Sequence, residues 1–184
     1  MDLFELSLHI IGNIVSCAVH PEYTDSLYKN SLLDALAQSW HTWQHHHIMD
    51  TEFCWVYSNL AASLNIPMLH DILHNEYVFG KIKECLKSQV PGSSREAAYF
   101  IMQIFLGYNL DIAEDLVRNH GIYEYMLPHL DIDRRSDIKV ILVILKSLTG
   151  LFSKERIMGS INFYLMFEKS GGVDLVEGLQ NHPH

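Results

Sequence analysis

Apolar residues recur at three- and four-residue intervals along nearly the whole chain. Leu3, Leu6, Ile10 and Ile14 mark a helix over 3–16, and Leu8, Ile11 and Val15 widen its apolar face. Pro21 falls in the break that follows, and a short helix is expected over 24–29. Asn30 and Ser31 are placed to cap a second helix through Ala37. Trp40–Met49 reads as a polar, His-rich connection into a long helix over 51–63. The plan then repeats, with a short helix from Pro67 to His74 and a medium one over 77–87. Pro91-Gly92-Ser93-Ser94 reads as a turn, with Ser93 and Glu96 spaced as a capping box for a long helix reaching Gly107. Helices are next expected over 111–119, 122–127 and 137–152, the last entered through a charged link at 131–136. Segments 161–169 and 173–180, parted by Gly171-Gly172, begin one more unit, whose apolar side is expected to be poorly covered.

Short, medium and long helices therefore succeed one another with a period in the mid-forties. The long helices carry the more telling pattern. Glu52, Trp55 and Asn59 stand at i, i+3 and i+7, one stripe of a helix bearing carboxylate, indole and amide. Forty-four residues later the same register holds Glu96, Tyr99 and Gln103. Forty-six residues before the first stripe it holds Leu6, His9 and Asn13, and beyond Gln103 it falls on Val143, Lys146 and Gly150. Helical units of this size cannot bury their apolar faces alone, so they stack. The fold expected is all-α, a right-handed superhelical solenoid of three-helix repeats in one domain, 1–184. Its repeats fall at 21–64, 65–108 and 109–155, with partial repeats at 1–20 and 156–184.

Such a stripe has a chemistry. An Asn amide can donate to and accept from the main chain of an extended ligand. Neighbouring aromatic rings form a slot for the aliphatic stem of Lys or Arg, whose head gains cation–π attraction and then meets a carboxylate. Stacked helices lie about 8–10 Å apart and an extended peptide advances about 3.3 Å per residue, so one repeat meets about three ligand residues. The stripe points to extended basic peptides. Taken singly, Trp55 reads as core and Asn59 as an exposed or capping polar residue; the shared register is what favours binding.

Net charge is −9 with His neutral, which argues against broad nucleic-acid binding and suits a cationic partner. Cys17, Cys54 and Cys85 are odd in number and far apart, which suggests buried reduced thiols rather than zinc ligands or a disulfide framework. The apolar run Val140–Leu145 is far short of the roughly 20 residues of a membrane span. A soluble protein is expected. His41, His45, His46 and His47, beside Trp40 and Trp43, raise a metal reading, but no carboxylate-rich helix or Cys completes it, and a solvated loop is favoured. No nucleophile stands in a triad or elbow pattern, so no enzyme, cofactor or metal is expected.

With these residues in view, the chain resembles the C-terminal armadillo repeats of importin-α (karyopherin-α), the adaptor family that carries nuclear localisation signals. "IIGNIVS" at 10–16 resembles the third helix of repeat six, "EFCWVYSNLAAS" at 52–63 that of repeat seven, and "REAAYFIMQIFLGYN" at 95–109 that of repeat eight. "DIKVILVILKSLTGLFS" and "EKSGGVDLVEGLQNH" resemble repeat nine and the start of repeat ten. The resemblance implies the family's minor signal-binding site, with Asn13, Ser16, Glu52, Trp55, Asn59, Glu96, Tyr99 and Gln103 as peptide-binding residues. Tyr99 and Gln103 stand where the family has Trp and Asn, and His9 is a further departure. The partners implied are proteins carrying basic nuclear localisation signals, in cytoplasm and nucleus. Importin-β is not expected to bind this chain alone, since the family's basic N-terminal segment is not in it. Export-receptor contact is not expected either, since repeat ten is cut short. A diverged armadillo scaffold that binds another protein without reading signals is the alternative.

Overall fold

The structure, a computed structural model, describes residues 3–16, 21–44, 46–63, 65–107, 109–134, 136–158 and 162–181. They form α1 (Leu3–Val15), α2 (Pro21–Lys29), α3 (Leu32–Thr42), α4 (His47–Ala62), α5 (Ile66–His74) and α6 (Glu76–Lys87). There follow α7 (Pro91–Leu106), α8 (Leu110–Arg118), α9 (Tyr123–Met126), α10 (Ile138–Met158), α11 (Phe163–Lys169) and α12 (Gly172–Gly178). Short 3-10 turns extend α9 at Leu127–Leu130 and α12 at Leu179–Asn181, and another lies at Ile132–Arg134. No strand occurs among the described residues, and the fold is all-α.

The helices start where backbone donors find side-chain acceptors. Asn65, Asn75 and Asn109 each accept from the N–H three residues on, Met68, Val78 and Ile112, at 3.0 Å. Caps of this kind contribute about 1 kcal/mol. Asn65 and Asn109 stand 44 residues apart, the spacing that also separates Glu52 from Glu96. Two expected caps do not form. Ser31 takes a left-handed backbone, φ 62°, with no side-chain cap bond, and the Asn30 amide donates to the Ser26 carbonyl instead. At α7 the helix begins at Pro91, whose fixed φ suits the first helical position, so Val90 is the cap residue. Ser93 then bonds Thr51 at 2.8 Å, and Glu96 pairs with Arg95, leaving no capping box.

The expected loop over Trp40–Met49 is largely helix. α3 runs to Thr42 and α4 starts at His47, with Trp40 wholly buried. Its ring stacks on Phe53 at 5.0 Å and Tyr57 at 5.6 Å, and its indole N–H donates to Asp50 at 2.8 Å. Each aromatic pair adds about 0.5–1.5 kcal/mol beyond area burial, enough to draw a Trp into the core despite polar neighbours in sequence. His41 and His46 are exposed, His45 lies outside the described residues, and no metal-ligating group is found in this stretch among the described residues. α10 runs six residues beyond Phe152, to Met158.

The long helices pack in order, α1 on α4, α4 on α7 and α7 on α10, while α5 meets α8 and α6 meets α9. Tyr28 donates to Asp71 at 2.6 Å and the Asn65 amide to Asp25 at 2.6 Å, joining α2 to α5 and its cap. Lys154 of α10 donates to the free carbonyl ends of α7, Phe105 at 2.8 Å and also Gly107, where a cation suits the helix dipole. The His129 ring is buried against the Leu86 carbonyl and the Ser136 hydroxyl. Cys54 and Cys85 are buried free thiols, and burial, then their mutual contact, pushes the Cys54 thiol well up; Cys17 lies outside the described residues. In α12 only Gly172 is buried, and Val173, Leu175 and Val176 are half-covered, packed against the core. No described helix is long and apolar enough to cross a membrane.

Candidate functional site

Packing of α1, α4 and α7 brings part of the expected stripe together from three places in the chain, without Asn59, Tyr99 or Gln103 in the lining. His9, Asn13, Glu52, Trp55 and Glu96, with Thr51 and Arg95, line one open cleft of ≈ 430 Å³. Asn13 is exposed, and Glu52, Trp55 and Glu96 are half-buried. Asn59, one turn beyond Trp55, is half-buried, and its amide donates to the Gly12 carbonyl at 3.2 Å. Tyr99 and Gln103 lie half-buried farther along α7 and are not in the lining of this cleft. Ser16 is exposed just past α1, its hydroxyl donating to the Asn13 carbonyl at 3.0 Å.

Trp55 owes its position to a glycine. A Cβ on Gly12 would overlap the Trp55 ring, so the indole rests on bare α1 backbone. His9 meets the same indole edge-on at 5.6 Å between ring centres. One face of Trp55 is thus braced, and the ring stays half-exposed at the cleft.

The acids are close enough to feel one another. Burial pushes the Glu96 carboxyl above its ordinary value; Arg95 opposes this and Glu52 adds to it. Two carboxylates sharing a half-buried cleft favour a cation between them. Part of that demand is met internally. His9 bonds Glu52 at 2.6 Å and the Arg95 guanidinium reaches Glu96 at 3.4 Å. His9 therefore does more than interrupt the pattern, because it occupies an acid. Gly12 and Arg95 were not picked out by the acid–aromatic–amide spacing. The small residue inside an otherwise bulky apolar helix was the available signal for Gly12. No local signal distinguished Arg95.

This arrangement can hold a cationic side chain against Trp55, with Glu52 and Glu96 as counter-charges. No nucleophile–base pair is found among its lining residues. Compared with known proteins, the chain matches no family model, no curated protein and no solved structure.

Proposed function

We propose that this protein is a peptide-binding adaptor of the importin-α kind, an armadillo solenoid that holds basic nuclear localisation signals along α1, α4 and α7. The observation that carries the reading is the cleft itself. An indole braced by Gly12, two mutually repelling carboxylates and an exposed amide, Asn13, come from helices that follow one another at the expected repeat. Lysine stems fit the indole face, and lysine heads relieve the repulsion between Glu52 and Glu96. The in-order packing of the long helices, with bonds joining residues 43 and 47 apart, supports a solenoid in which each unit touches its neighbours. On this reading the protein works between cytoplasm and nucleus.

A weak grip is expected. His9 and Arg95 compete for the two acids, and Tyr99 is a poorer cation–π face than Trp. With cation–π contacts of about 0.5–2 kcal/mol each, affinity should be micromolar or weaker. The same internal bonds favour a second reading, a scaffold of this architecture that binds another protein by a different face. A lysine-rich peptide titrated while Trp fluorescence is followed separates the two. Binding that weakens with salt, and that a glutamate-rich peptide does not reproduce, supports the adaptor. A flat titration favours the scaffold.

A further inference from the structure

Away from the cleft, a second group of ligating side chains forms where α5 meets α8. His74 is the last residue of α5, Asp115 lies in α8, and His120 stands in the turn after it. One ligating atom of each lies within 4.8 Å of the others. His120 Nε2 and Asp115 Oδ2 are 3.6 Å apart, and both atoms are fully buried without a hydrogen-bond partner. Two buried polar atoms facing each other at that distance are too far apart for a good hydrogen bond. The separation is close to the roughly 3.4 Å between neighbouring ligands of a tetrahedral ion with bonds of about 2.0–2.2 Å. In the other candidate group, Glu5, His9 and Glu52, the His9 and Glu52 atoms meet at 2.6 Å and already bond each other.

Asp115 and His74 have their remaining polar atom engaged as metal ligands require. The other Asp115 oxygen, Oδ1, accepts from the Asn119 amide at 2.6 Å, which orients the carboxylate. Nδ1 of His74 bonds the His70 carbonyl at 2.9 Å, leaving Nε2 with its lone pair, and the His70 ring stacks on it at 3.9 Å. Such partners fix the tautomer of a ligating imidazole. Burial pushes His120 below its ordinary value, with Asp115 opposing and Lys83 and His74 adding to it, a shift in the direction of the neutral ring.

We propose that His74, Asp115 and His120 bind one Zn²⁺, with the fourth position open at exposed His74, and that the ion clips α5 to the α8 turn. Two imidazoles and a single carboxylate suit zinc, whereas magnesium and calcium favour all-oxygen sets. Because the ligands come from neighbouring units, the ion would bind the folded chain alone and stabilise it.

The test uses full-length protein purified without a metal-affinity tag and dialysed against chelator, then titrated with Zn²⁺ against a chromogenic chelator. One tight equivalent is expected, together with a rise in Tm. His120→Ala and Asp115→Asn should each weaken it at least 10-fold, and His74→Ala, an exposed change, should weaken it with the fold intact. Asn119→Ala should weaken it about 10–100-fold by freeing the carboxylate. The His41→Ala/His46→Ala variant should retain it. The proposal is overturned if no tight equivalent appears. It is equally overturned if His74→Ala and Asn119→Ala leave zinc affinity unchanged, or if the His41→Ala/His46→Ala protein loses the equivalent.

Discussion

Glu96 shows how a residue proposed to meet a cationic ligand can cost stability. Burial raises its folded pKa above the unfolded value, so its favourable contribution is present below the ordinary carboxylate range and is lost as pH rises through the folded pKa. Above the folded pKa the ionised carboxylate is therefore a cost. Glu96→Gln should have a higher Tm than the wild type at pH 7 and bind a lysine-rich peptide more weakly, as calorimetry can check. His9 acts in the opposite direction, since its bond to Glu52 uses an acid that a lysine head needs. His9→Ala should tighten peptide binding. His129 carries a separate pH signal. Burial depresses its folded pKa, although the Leu86 carbonyl opposes this, so its stability is full above the unfolded value of about 6.5 and is lost as pH falls through the folded pKa. Denaturant midpoints at pH 7.5 and 5.5 should differ more for the wild type than for His129→Gln.

The contact between α1 and α4 turns on Gly12. Alanine there would gain roughly 0.5–1 kcal/mol of helix propensity, but its Cβ would overlap the Trp55 ring. Overpacking costs about 1–3 kcal/mol, so overlap should win and Gly12→Ala should lower the denaturation midpoint and shift Trp emission. The helices themselves could be read from the chain because a 3.6-residue apolar period is local information. The Glu52–Trp55–Asn59 stripe could be read for the same reason, and Trp55 and both acids do line one cleft. Contacts between helices could not be read this way. Trp40 looked like loop because its neighbours are polar, while Phe53, Tyr57 and Asp50, which hold it in the core, lie on the next helix. The Ser93–Glu96 box matched a local motif, but Pro91 moved the helix start and α4 supplied Ser93 with Thr51. His74 meets Asp115 and His120 only because α5 packs on α8.

Side-chain bonds between neighbouring helices join residues 40, 42, 43 and 47 apart, so cohesion here includes contacts between helices distant in sequence. On the proposed solenoid reading, stability is a sum of unit and interface contributions. Hydrogen exchange should be slowest in α4 and α7, each held between two long helices, and fastest in α12, whose side chains are only half-covered. The peptide-binding account depends on the same stacking, and one comparison tests it most directly. A single lysine-rich peptide is titrated calorimetrically, at one salt concentration, into the wild type, Trp55→Ala and the double variant Tyr99→Trp with Gln103→Asn. Loss of the indole should cost about 1–2 kcal/mol, a 5- to 30-fold weaker Kd, by removal of a cation–π contact. The double variant should bind more tightly than the wild type, since it extends the aromatic and amide pattern of α4 onto α7. Equal affinity in all three proteins, each with an unchanged helical spectrum, would contradict the account and leave the cleft as ordinary surface.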